Sequence, residues 1–96
     1  MRLTDFEKEA IIKTAKKHFR DFELYLFGSR IDDSKKGGDI DLYFKLSKKP
    51  DMMQKVKFLV ELKNIIGEQK IDVIIYYPSK KLRDIDIEAQ KGIRLC

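Results

Sequence analysis

Between residues 39 and 46 polar and apolar side chains alternate. Asp39, Asp41, Tyr43 and Lys45 interleave with Ile40, Leu42, Phe44 and Leu46. A period of two is the pattern of an extended strand with one buried face. The rest of the chain must then supply a layer over the apolar face, leaving the other face to function. Two of the polar residues open this strand as Asp39-Ile40-Asp41. Side chains at i and i+2 share a face, about 6.6 Å apart at strand rise. Two adjacent anions repel and call for a cation between them. A hard divalent ion such as Mg²⁺, carrying the phosphates of a nucleotide, would satisfy both.

The flanking segments supply the layer. Thr4 and Glu7 form a capping-box pattern, and the helix they open is expected to run to about Phe19. Ile11, Ala15, Phe19 and Phe22 give it a stripe at intervals of three and four. His18 on this helix reads as a boundary residue, because no second histidine exists to share a metal. Leu24-Tyr25-Leu26-Phe27 reads as a buried strand that Gly28-Ser29 terminates, and Asp32 to Gly38 as a loop. Pro50 precedes a second helix with Asp51 as N-cap and Gly67 as its stop. Met52, Val56, Leu59, Val60, Lys63 and Ile66 trace it, with the lysine at the wet edge of its expected inner face. Ile71, Val73 and Ile75 mark a third strand. Ser79 is a candidate cap for a third helix with Leu82, Ile85 and Ala89 inward, ended by Gly92. Ile93-Arg94-Leu95 can add a terminal strand. The expected fold is α/β (α+β): a small mixed sheet with helices packed on one face, in the order α-β-β-α-β-α, forming one domain over residues 1–96.

Composition narrows the function classes. The net charge is +5, but the lysines are spread along the chain, so a nucleic-acid-binding face is disfavoured. No apolar run approaches the roughly 20 residues of a membrane span. The N-terminus reads as an amphipathic helix and not as a signal peptide, and Cys96 has no partner for a disulfide within the chain. A cytoplasmic setting is expected.

Asp72 interrupts the apolar run Ile71 to Ile75. A carboxylate there is costly unless paired or liganded. If its strand neighbours the Asp39–Asp41 strand, a spacing of about 4.8 Å brings three carboxylates together, the donor set of a two-metal site. Plainer readings exist for each residue alone: Asp39 in a turn, Asp41 paired with a lysine, Asp72 guarding a sheet edge. Their conjunction with Gly28-Ser29 favours the shared site. A glycine after a buried strand lets backbone approach a phosphate, and the Ser29 hydroxyl can donate to it.

Leu26-Phe27-Gly28-Ser29-Arg30 together with Asp39-Ile40-Asp41-Leu42 resembles the signature of the DNA polymerase beta-like nucleotidyltransferase superfamily. The small size is similar to that of its minimal nucleotidyltransferases, and the resemblance covers nearly the whole chain. It implies Mg²⁺-dependent transfer of a nucleoside monophosphate, AMP from ATP or another NTP, onto a hydroxyl. Gly28, Ser29 and Arg30 would hold phosphate, and Asp39, Asp41 and Asp72 would ligate metal and serve catalysis. Minimal members are often paired with a small helical protein of the HEPN type, which in some pairs is a toxic ribonuclease that receives AMP from its antitoxin. Asp32-Asp33 stand where the family usually has Arg-Gly, and Gly38 where it has a small polar residue. The alternative expectation is a catalytically weak module of the same fold that acts by binding a helical partner. Tyr25, Tyr43, Tyr76 and Tyr77 are candidates for its partly exposed aromatic surface.

Overall fold

The computed structural model describes residues 3–28 and 38–96. Ser29, Arg30, Asp32 and Asp33 lie outside the described residues. Three helices and four strands follow in the order α1 (Asp5–His18), β1 (Phe22–Phe27), β2 (Ile40–Leu46), α2 (Met52–Ile66), β3 (Ile71–Tyr76), α3 (Asp84–Gln90) and β4 (Ile93–Arg94). The strands form one mixed sheet in the order β3-β2-β1-β4. β1 runs antiparallel to β2 and β4, while β2 and β3 are parallel, with α2 as the crossover between them. This is the small mixed sheet and the element order expected from the sequence.

Local signals set the ends of the two long helices. The Thr4 hydroxyl accepts from the Glu7 amide at 3.0 Å, and the Glu7 carboxylate accepts from the Thr4 amide at 3.0 Å. Asp51 caps α2 by accepting from the Met53 amide at 2.9 Å. Gly67 ends α2 with φ +92, a left-handed value that L side chains avoid.

α1 and α2 cover the sheet face that carries Leu24, Leu26, Leu42, Phe44 and Val73. Phe44 anchors this layer. Its ring centroid lies 4.6 Å from that of Phe19, after α1, and 5.2 Å from that of Phe58 on α2. A polar seam joins the helices at one end: Lys17 and His18 both meet Glu61, at 2.9 and 3.3 Å. His18 is thus the boundary residue expected.

Three expectations need correction. In α2 the inward residues are Phe58 and Leu62, whereas Met52, Val56 and Val60 are exposed. The helix carries apolar residues on two sides, and the sheet takes the side whose aromatic and leucine fill the space around Phe44. The third helix is not capped by Ser79. It starts after Arg83, and its buried residues are Asp86 and Ala89, while Leu82 and Ile85 are exposed. α3 lies against the sheet face opposite α1 and α2, where Gln90 Nε2 donates to the Tyr43 hydroxyl at 3.3 Å. For the same reason Tyr43 is not a surface aromatic but fully buried. Tyr25, Tyr76 and Tyr77 are half-buried.

Candidate active site

Strand register builds the site. Phe27 of β1 pairs with Asp41 of β2, which in turn pairs with Asp72 of the edge strand β3. Paired residues in adjacent strands point to one face, so Asp41 and Asp72 stand side by side, on the face away from α1 and α2. Asp39 precedes β2 by one residue and completes the group. One carboxylate oxygen from each of Asp39, Asp41 and Asp72 lies within 4.8 Å of the other two. The sequence places these three acids together, and so does the fold.

The electrostatics of the cluster centre on Asp41. Burial, the Asp72 carboxylate beside it and the Asp39 charge push its pKa above the usual carboxylate range, and Lys70 partly offsets them. The Lys70 ammonium stands 3.4 Å from Asp39 Oδ2. Among the described residues, one mostly exposed lysine is ion-paired with the three-carboxylate group, which leaves the group short of positive charge. Three convergent oxygen donors with that deficit fit a hard divalent cation.

Gly28 makes a close contact with the cluster that sequence reasoning only half saw. Its φ of +77 is left-handed. A Cβ built on Gly28 would overlap Asp41 Oδ2. The glycine therefore lets the β1 terminus sit directly against the Asp41 carboxylate. The row Gly28, Asp41, Asp72 runs across the sheet from its interior to its open edge. An open cleft of about 570 Å³ adjoins that edge, lined by Phe27, Asp41, Asp72, Ile74, Lys55 and Ile85. A larger cleft of about 650 Å³ lies between α1 and α2 around Phe6, Ala10 and Ile65, with no carboxylate triad.

Beside the site, on the same sheet face, α3 is clamped by a buried charge that sequence reasoning missed. Asp86 is fully buried. Its Oδ2 accepts from the Arg83 amide at 2.7 Å and from Arg83 Nε at 3.0 Å, and its Oδ1 accepts from an Arg83 terminal nitrogen at 3.0 Å. These bonds hold the Asp86 carboxyl below its usual range and the Arg83 guanidinium above its own. Burial, with Asp86 nearby, pushes the Tyr43 hydroxyl up to about 12. The Arg83-x-x-Asp86 spacing was the available signal, together with a strand tyrosine whose hydroxyl needs a partner.

A parallel β2-α2-β3 unit with three carboxylates gathered at the strand ends, beside a left-handed glycine, is the arrangement of a nucleotide-transferring fold. The family model for polymerase beta nucleotidyltransferases matches residues 9–95. The chain belongs to this family, and a nucleotidyltransferase function in general terms follows, with a nucleotide as substrate. A search of curated proteins found no match. Among the described residues no helix is long and apolar enough to cross a membrane.

Proposed function

We propose that the chain transfers AMP from ATP to a hydroxyl of a small helical partner protein of the HEPN type, with Mg²⁺ held by Asp39, Asp41 and Asp72. The convergence of the three carboxylates within 4.8 Å carries this reading. When bound, a pair of divalent ions would offset phosphate charge and acidify the attacking hydroxyl. The chain's own groups do the rest. Gly28 holds phosphate at the inner end of the row, and Ser29 and Arg30 are assigned to phosphate by the family motif. Asp72, exposed at the sheet edge, meets the acceptor and takes its proton. The acceptor oxygen bonds to the α-phosphorus, the bond to the β-phosphate oxygen breaks, and pyrophosphate leaves.

The exposed apolar side of α2 favours a second reading, in which the fold acts chiefly by binding its partner. Co-expression with the product of the adjacent gene, followed by size exclusion and intact mass measurement, separates the two. A complex whose partner gains one AMP unit supports transfer. A stable complex without mass gain supports the binding module. ATP turnover on a small alcohol with no complex moves the acceptor from protein to metabolite.

A further inference from the structure

α2 turns to solvent a face that an isolated amphipathic helix would bury. Met52, Met53, Val56 and Val60 are 87%, 50%, 47% and 56% exposed. At helical pitch these four positions fall within an arc of about 100°. Phe58 and Leu62, which are fully buried, lie on the other side. Singly exposed apolar residues are ordinary, but a contiguous stripe along more than two turns of one helix marks a contact surface.

Charge says what covers it. Lys55 and Lys57 are exposed beside the stripe, and Lys48 and Lys49 are exposed just ahead of the helix. The acids of this segment are engaged within the chain. Asp51 caps the Met53 amide, and Glu61 meets Lys17 and His18 on the side facing α1. A second copy of this chain would bring the same lysines face to face, on a molecule already at +5. We propose that the α2 face docks a different protein, through an apolar helix face rimmed by Asp and Glu. Lys55 and Leu59 of the same helix line the cleft that holds Asp41 and Asp72. A partner seated on α2 therefore lies alongside the carboxylate cluster. The docking itself does not depend on transfer.

The test uses two synthetic helical peptides with the same leucine face, one flanked by glutamates and one by lysines, titrated into the isotope-labelled chain by NMR. The glutamate peptide should shift the amides of residues 52–60 and bind at least tenfold more tightly than the lysine peptide. Its affinity should fall with added salt. The variant Val56→Glu with Val60→Glu should lose that binding while its melting temperature holds, since both sites are exposed and Glu is the better helix former. Asp41→Asn should bind as the unmodified chain does, so a failure of transfer leaves this result intact. Equal binding of the two peptides, no binding, or shifts mapping elsewhere would overturn the proposal. So would a concentration-dependent dimer of the chain that Val60→Glu dissolves.

Discussion

Replacing Asp86 with alanine should destabilise the protein by about 3 kcal/mol. The carboxylate accepts three bonds from Arg83, two of them from the guanidinium, at 2.7 to 3.0 Å. Bonds to charged groups contribute roughly 1.5–3 kcal/mol each. They do not add in full here, because the Arg83 side chain is 41% exposed and water recovers its guanidinium once Asp86 is gone. The lost cap on the Arg83 amide and the space left under α3 return part of that. For a domain of this size 1 kcal/mol shifts the melting temperature by about 4–8 °C, so a loss of about 12–24 °C is expected. Arg83→Ala should cost as much or more, about 3–5 kcal/mol, because it leaves a carboxylate buried without its cation. The double variant should fall well short of the sum of the two, since both singles break one interaction. Thermal and urea melts at neutral pH read all three. A loss below about 1 kcal/mol for Asp86→Ala, or additive losses, would refute the clamp.

Gly28→Ala should weaken divalent-ion binding by tenfold or more and cost about 1–2 kcal/mol, since the left-handed backbone disfavours a side chain and the new methyl displaces Asp41; a melt and a Mn²⁺ titration check both parts, and unchanged ion binding would place Asp41 outside the site. Asp41→Asn should hold or raise stability in metal-free buffer, because Asp41 has a raised pKa in the fold and its ionisation opposes folding. That penalty is present above its folded pKa and is relieved as the pH falls towards the ordinary value of 3.8, so the variant's advantage in melting temperature should be largest near neutrality and vanish in acid. The Arg83–Asp86 pair has the opposite sign. Its contribution is complete above the ordinary pKa and is lost as the pH falls through the depressed one, so Asp86→Asn should lose less stability relative to the unmodified chain at pH 2 than at pH 7.

What was legible in the sequence was what neighbouring residues decide. Thr4 with Glu7 and Asp51 with Gly67 marked helix ends because caps are local chemistry, and the alternation of residues 39–46 gave β2 because strand faces have period two. The Asp39, Asp41 and Asp72 cluster was legible because a charge in an apolar strand needs a partner. The inner face of α2 was not, because that helix carries apolar residues on two sides and only the shape of the pocket around Phe44 selects Phe58 and Leu62. The position of α3 was hidden for a related reason. Its burial rests on Asp86, whose charge the sequence alone assigns to solvent until Arg83 and Tyr43 are seen beside it.

The account turns on whether Asp39, Asp41 and Asp72 hold divalent cations for a nucleotide. The direct measurement is Mn²⁺ binding by water-proton relaxation, in the presence of a non-hydrolysable ATP analogue, for the unmodified chain and for Asp41→Asn and Asp72→Asn. The unmodified chain should bind the ion, compete it out with Mg²⁺, and lose at least tenfold in affinity on either substitution while the fold holds by circular dichroism. Equal Mn²⁺ affinity in all three proteins would show that the carboxylates gather for some other reason and would contradict the central claim.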